Sequence, residues 1–89
     1  MRAVHVVVRG RVQGVGFRWF TREAANAHGV TGWVRNLPDG SVEALLCGAD
    51  AEVDAVLAKL RTGPPFAHVD DVGVSDAEDS QLREFEIRR

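Results

Sequence analysis

The segment from Gly10 to Arg18 reads Gly-Arg-Val-Gln-Gly-Val-Gly-Phe-Arg and has the residue types of an anion-binding loop. Glycines at 14 and 16 let a loop turn several backbone N–H groups toward one point. A helix that begins at Phe17 adds the partial positive charge of its N-terminus, and Arg18 in its first turn can offer two parallel donors to a phosphate. This spacing favours a phosphate-binding site.

The loop differs from the common nucleotide-binding motifs. The Gly-Lys-Ser/Thr ending of a P-loop is replaced by Gly16-Phe17-Arg18, and the third glycine of a dinucleotide fingerprint is missing. From the residues alone a second interpretation stays open, in which Gly14 and Gly16 only form a tight turn and Arg18 is solvated.

The residues around the loop have the periodicities of a strand and a helix. Valines at 4, 6 and 8 alternate with other residues and predict a first strand that begins at Val4 and ends at Gly10. Apolar residues at 17, 20, 24 and 27 predict a helix from Phe17 to His28, and Gly29 is typical of a helix end. The loop is therefore expected to join a strand to a helix.

A β-hairpin is predicted after this helix. Val30 to Arg35 and Ser41 to Cys47 both show the alternation of strands. Between them lies Leu37-Pro38-Asp39-Gly40, in which proline presets the first turn residue and glycine tolerates a positive backbone angle. The two strands are expected to be antiparallel neighbours.

The second half of the chain predicts another helix and two weaker strands. Asp50 is expected to cap the helix, and Gly63-Pro64-Pro65 is expected to end it. Its apolar residues recur at helical spacing, at positions 53, 56, 57 and 60. Apolar residues at 72 and 74, and again at 85 and 87, predict the last strands but not their register.

The predicted order is β-α-β-β-α-β with an extra short C-terminal strand, which is typical of the ferredoxin-like α+β sandwich. In this architecture two helices pack on one face of an antiparallel sheet. With 89 residues, 45% of them hydrophobic and 27% charged, the chain is expected to form a single domain over residues 1–89. The fold alone does not define a function.

Charge and cysteine content narrow the function classes. A formal net charge of -2 gives no general attraction to a polyanion, so no nucleic-acid partner is expected. Cys47 is the single cysteine and follows two leucines, which is typical of a structural thiol in a reducing compartment, and we expect the cytoplasm. The short apolar stretch after Met1 is broken by Arg9, so we expect no signal peptide or membrane span there, and the charged end Arg88-Arg89 favours a free-standing protein.

Two stretches of the sequence resemble the signatures of the acylphosphatase family. The first is the run from Gly10 to Arg18. The second runs from Gly32 to Glu43 as Gly-Trp-Val-Arg-Asn-Leu-Pro-Asp-Gly-Ser-Val-Glu, with Gly48 after it. The similarity extends from Val4 through the Gly-Pro-Pro break to Val72, and so covers nearly the whole chain.

This resemblance implies a ferredoxin-like hydrolase that cleaves the carboxyl-phosphate anhydride bond of a small acyl phosphate. Arg18 matches the phosphate-binding arginine of the family, and Asn36 matches its water-orienting asparagine. By itself, Asn36 would be interpreted as a turn residue before Pro38. The expected phosphate-binding loop comprises Gln13, Gly14, Val15, Gly16, Phe17 and Arg18. The one departure nearby is His28, where the family usually has an apolar residue, and it concerns packing rather than catalysis.

The chemistry of an acyl phosphate agrees with the residues that are present. Its leaving group is a carboxylate that needs no protonation, so positioning and charge stabilisation are sufficient. No carboxylate cluster or Cys/His set lies near the loop in sequence, so no metal and no other cofactor is expected. We expect a monomer.

Other residues support weaker hypotheses. His5, His28 and His68 lie outside both signatures and are expected to be structural. Trp19 and Trp33 raise a second hypothesis, an RNA-binding module of the same fold, although the aromatic-rich RNA-binding strand motif is absent. A third hypothesis is a small-molecule regulatory or carrier domain, or a module of a larger maturation enzyme.

Overall fold

The computed structural model describes residues 1–89 and has five strands and two helices, in the predicted order. The strands are β1 (Arg2–Arg11), β2 (Thr31–Asn36), β3 (Val42–Gly48), β4 (His68–Asp76) and β5 (Phe85–Ile87). The helices are α1 (Phe17–Ala27) and α2 (Asp50–Thr62). Neither helix has the length and apolar run needed to cross a bilayer.

The strands form one sheet in the order β4-β1-β3-β2-β5. β1 is antiparallel to β3 and β4, and β2 is antiparallel to β3. β5 runs parallel to β2, with Phe85 opposite Gly32, so the short C-terminal strand makes the sheet mixed rather than wholly antiparallel. The segment from 77 to 84 carries the chain from β4 at one edge of the sheet to β5 at the other. The ferredoxin-like α+β fold is confirmed.

The helices pack on the face of the sheet that carries the alternate valines of β1. Val4, Val6 and Val8 are at most 1% exposed and belong to a core cluster of 17 buried residues. Burying each such side chain stabilises the fold by about 1.5 to 3 kcal/mol. α1 contributes Phe17, Ala24 and Ala25 to this cluster, and α2 contributes Val53, Val56, Leu57 and Leu60. The core thereby fixes the N-terminus of α1 above the end of β2.

The predicted cap of α2 was wrong by one residue. Ala49 is the N-cap, with extended backbone angles (φ -64°, ψ 146°), and its carbonyl accepts from the N–H groups of Glu52 and Val53. The connection between β3 and α2 is a single residue, Ala49, and because its backbone is extended the helix begins at the next residue, Asp50. Asp50 lies in the first turn instead, where its negative charge interacts favourably with the helix dipole.

His28 caps the C-terminal end of α1 and joins the two helices. α1 ends at Ala27, one residue before the predicted end, and His28 Nδ1 donates to Glu52 Oε2 of α2 over 2.9 Å. His28, which stands where the family usually has an apolar residue, therefore packs against a polar partner, Glu52.

The other face of the sheet carries a small polar cluster centred on Glu43. Glu43 Oε2 accepts from His5 Nε2 at 2.7 Å, and its Oε1 accepts from Arg35 Nε at 2.6 Å. The carboxylate is only 14% exposed, and this burial raises the pKa of Glu43. The hydrogen bonds from His5 and Arg35 outweigh the burial, so the pKa of Glu43 lies below its usual value.

We predict that Glu43→Gln reduces the free energy of unfolding by about 1 kcal/mol at pH 7, and that this difference disappears in acid. A carboxyl group with a lowered pKa in the folded state stabilises the protein above the pKa of the unfolded chain. That stabilisation is lost as the pH falls through the lower folded value. Urea unfolding from pH 7 to pH 3 measures the difference.

Glu78→Gln is the control, because Glu78 is exposed and forms no salt bridge. Its effect should be small at every pH. A difference between wild type and Glu43→Gln that stays constant down to pH 3 would contradict the lowered pKa.

Candidate active site

A cavity of about 220 Å³ opens where the loop after β1, the start of α1, the end of β2 and β5 meet. It brings together Arg18 and Asn36, which the sequence placed in two separate signatures. The residues that line it are Val12, Gly14, Gly16, Phe17, Arg18, Trp19, Asn36 and Ile87.

The loop from Val12 to Gly16 reverses the chain between β1 and α1. Gly14 and Gly16 both have left-handed backbone angles, with φ of 76° and 79°, which other residues adopt only with strain. Gly16 is also the N-cap of α1 and supplies no side-chain cap to the helix. Gly14 and Gly16 therefore allow the chain to turn from β1 into the first turn of α1.

The backbone N–H groups of the loop and of the first turn of α1 have no hydrogen-bond acceptor within the protein. The N–H groups of residues 14–19 donate no hydrogen bond to any backbone or side-chain acceptor. Most of these residues line the cavity, and a helix N-terminus favours negative charge. Such an arrangement is suited to binding an anion through several N–H groups at once.

Gln13 connects the loop to the hairpin instead of lining the cavity. Its Nε2 donates to the carbonyl oxygens of Leu37 at 2.7 Å and Ser41 at 2.9 Å. Val15 is a partly buried residue that packs against the core cluster and also lies outside the cavity lining. Of the expected loop residues, Gly14, Gly16, Phe17 and Arg18 line the cavity.

The hairpin that accepts these bonds is itself held by Asp39. Asp39 Oδ1 accepts from the Ser41 hydroxyl at 2.5 Å and from the Ser41 N–H at 2.9 Å. These hydrogen bonds lower the pKa of Asp39. The turn predicted over Leu37-Pro38-Asp39-Gly40 thus provides a fixed support for Gln13, and through it for the loop.

Arg18 carries the positive charge of the cavity. Its side chain forms no salt bridge, and its one hydrogen bond runs from Nη1 to the carbonyl oxygen of Arg88 at 3.3 Å. The remaining guanidinium donors have no acceptor in the protein. A guanidinium in this state can bind a phosphate with a bidentate pair of hydrogen bonds.

Asn36 is the last residue of β2 and lies opposite Val42 of β3. It shares a face with Gly32 and Val34, which are buried on the helix side of the sheet, so its side chain is directed toward α1. The amide forms no hydrogen bond within the protein, and no buried side-chain polar atom is left unpaired, so the amide is accessible from the cavity. Its oxygen can accept from a water molecule.

Besides Val12, which lies in the first signature, two residues of the cavity were missed by sequence reasoning. Trp19 was considered only as a base-stacking candidate, and Ile87 only as part of a weak strand. The signal for Ile87 was its alternation with Phe85, which placed both on one face of β5. Without the pairing of β5 with β2, the pattern could not show that this face adjoins the cavity.

No other reactive side chain lies in the cavity. Cys47 is buried at 1% exposure in β3, and no group of three or more His, Cys, Asp or Glu residues is arranged to hold a metal ion. The histidines each contact a carboxylate outside it, in the pairs His5–Glu43, His28–Glu52 and His68–Asp70. Metal independence stays a prediction.

Comparison with known proteins shows which family the chain resembles in sequence and in fold. The model of the acylphosphatase family matches residues 4–87. An acylphosphatase of Trichormus variabilis is 54% identical over 86 residues, which cover 97% of this chain and 85% of that protein. An acylphosphatase of Oceanobacillus iheyensis is 49% identical over 90 residues and 99% of each chain. The crystal structure of acylphosphatase from Bacillus subtilis superposes with a TM-score of 0.97 at 34% identity, covering 100% of both chains. The chain therefore belongs to the acylphosphatase family.

Proposed function

We propose that the chain hydrolyses acyl phosphates in the cavity between α1, β2 and β5, with Arg18 holding the phosphate and Asn36 orienting the attacking water. The observation that carries this assignment of roles is the composition of one cavity. It combines an arginine without a carboxylate partner, a helix N-terminus with unpaired N–H groups and an asparagine amide without a partner.

Binding the phosphate uses both kinds of donor. The N–H groups of residues 14–19 and the guanidinium of Arg18 can together satisfy the three non-bridging oxygens. These donors are held in place before the substrate arrives, because Gln13 and the core fix the loop and the helix. Preorganised donors stabilise the charge of the transition state without a reorganisation cost.

Hydrolysis then needs an oriented water molecule. The oxygen of the Asn36 amide accepts a hydrogen bond from this water, whose oxygen attacks phosphorus in line with the departing carboxylate. A new bond forms between the water oxygen and phosphorus, and the bond from phosphorus to the acyl oxygen breaks. No Asp, Glu, His or Cys lines the cavity, so the water proton passes to a phosphate oxygen of the substrate. The products are a carboxylate and inorganic phosphate.

The proposal also covers the domain organisation, oligomeric state, cellular compartment and partners of the protein. The chain acts as a single domain over residues 1–89, as a cytoplasmic monomer without a nucleic-acid partner. The net charge of -2 and the one buried cysteine support this. The RNA-binding alternative is not favoured, because Trp33 already contacts the guanidinium groups of Arg35 and Arg88, each 5.4 Å from its ring centroid.

The central test is Arg18→Gln. Loss of a charge-assisted bidentate contact should cost about 2 to 4 kcal/mol in the transition state, or roughly a hundredfold or more in kcat/KM. Inorganic phosphate should inhibit the wild type competitively and the variant only weakly. Stability should change little, since the guanidinium has a single hydrogen bond within the protein.

Arg22→Gln provides a matched control for this test. Arg22 lies one turn further along α1, contacts Glu23 and does not line the cavity, so its substitution should leave hydrolysis unchanged. A folded Arg18→Gln protein with near wild-type activity would contradict the assigned role. The unfolding midpoint of each variant separates a loss of activity from a loss of structure.

Asn36→Ala tests the water-orienting role. Because the amide contacts water rather than substrate, kcat should fall by about tenfold to a hundredfold, while KM changes by less than about threefold. Asn26→Ala is the control, since Asn26 is exposed on α1 away from the cavity. A rise in KM at unchanged kcat would assign Asn36 to substrate binding instead.

Metal independence is tested by dialysis against a chelator. The cavity offers no set of metal ligands, so the rate of hydrolysis should be unchanged after prolonged treatment with EDTA. Activity that disappears on dialysis and returns when magnesium is added would refute this prediction.

A further inference from the structure

We propose that Trp19 and Ile87 form an acyl-binding wall, and that this wall gives the enzyme a preference for acyl phosphates with an apolar and above all an aromatic acyl group. This inference rests on the proposed function of the same cavity. It concerns the part of the substrate that the phosphate donors do not contact.

The wall consists of apolar side chains that the fold leaves exposed. Trp19 is 58% exposed and Ile87 is 38% exposed, although both belong to regular elements that could have buried them. Large exposed hydrophobic residues are few in this chain, and the others are Met1, Phe66 and Val74. Only Trp19 and Ile87 among them line the cavity with Arg18 and Asn36. Clustered exposure of this kind marks a binding surface.

The cavity therefore has two chemically different sides. Arg18 and the N–H groups at the start of α1 supply donors for the phosphate, whereas Trp19 and Ile87 supply apolar surface beside them. An acyl phosphate has the same two parts, an anionic phosphate and a carbon chain joined through one anhydride bond. When the phosphate binds at the donors, the acyl group is left to contact the apolar side.

Size and charge limit the acyl group further. The volume of about 220 Å³ is below the roughly 300 to 1,000 Å³ of pockets for drug-sized ligands, so it suits a compact group. Apart from Arg18, no charged side chain lines the cavity, so a second charge on the acyl group would find no dedicated partner. A flat aromatic ring can instead stack on the indole of Trp19 or contact its edge.

The experiment compares benzoyl phosphate with acetyl phosphate on wild type, Trp19→Ala and Trp19→Phe. We expect Trp19→Ala to lower kcat/KM for benzoyl phosphate by about threefold to tenfold and for acetyl phosphate by less than about twofold. Trp19→Phe should restore most of the preference. The two substrates differ in intrinsic reactivity, but that difference cancels when the ratio of the two values is compared between variants.

Phe66→Ala is the matched control, because Phe66 is 83% exposed and lies outside the cavity lining. It should leave the ratio unchanged. Inhibition by inorganic phosphate is measured on every variant and should be unaffected by either substitution at Trp19, since the phosphate donors remain.

An unchanged ratio of the two kcat/KM values would overturn the inference, and this result is distinguishable from failure of the proposed function. If the ratio in folded Trp19→Ala equals that of wild type, whether both values fall equally or neither changes, Trp19 does not select the acyl group. If Trp19→Ala fails to fold, an unchanged ratio in both Trp19→Leu and Ile87→Ala would overturn the inference in its place. Wild type that hydrolyses neither substrate would instead reject the proposed function itself.

Discussion

The site depends on the reversal of the chain between β1 and α1, which leaves the backbone N–H groups of residues 14–19 without acceptors. Backbone donors at the start of a helix are satisfied by a side-chain cap, by water or by a ligand, and here no side chain of the protein caps them. Left-handed glycines at 14 and 16 make the reversal possible, and the first turn of α1 continues it. Gln13 holds the loop against the hairpin through the carbonyl groups of Leu37 and Ser41, so the donors keep their positions without a ligand. The donors are thereby arranged before any anion binds.

The cavity is positively charged because no carboxylate contacts the guanidinium of Arg18. Some arginines of the chain contact carboxylates, as Arg2 does with Asp54 and Arg35 with Glu43, whereas Arg18 contacts only the carbonyl oxygen of Arg88. A carbonyl orients the guanidinium without neutralising it, so the full charge is available to a ligand. β5 is thus part of the site, because it supplies both Ile87 and the chain that ends in this contact. A protein with a net charge of -2 can therefore bind an anion at one point.

A cavity with so few reactive groups is sufficient because of the substrate. An acyl phosphate releases a stable carboxylate, so a general acid is not required, and the phosphate can take the proton of the attacking water. What remains for the protein is to hold two reactants in line and to stabilise charge on the phosphate oxygens. We propose that Arg18, the loop and Asn36 perform these two tasks, on elements fixed by the core. The polar cluster around Glu43 lies on the opposite face of the sheet and supports β2 through Arg35, the residue before Asn36.

The sequence alone determined the elements and their order, because the alternation in β1, β2 and β3 and the helical spacing in α1 and α2 are local patterns that reflect one buried face. It also determined the glycine loop and, through the family signatures, Arg18 and Asn36 as the candidate residues. Local patterns did not predict three other features. The cap of α2 at Ala49 depends on the geometry of the connection after β3. The side-chain direction of Gln13 and the parallel pairing of β5 with β2 depend on contacts between residues far apart in the chain. Only the tertiary structure decided that Trp19 and Ile87 line one cavity with Arg18 and Asn36, since β5 reaches this cavity by pairing with β2, a strand far from it in the chain.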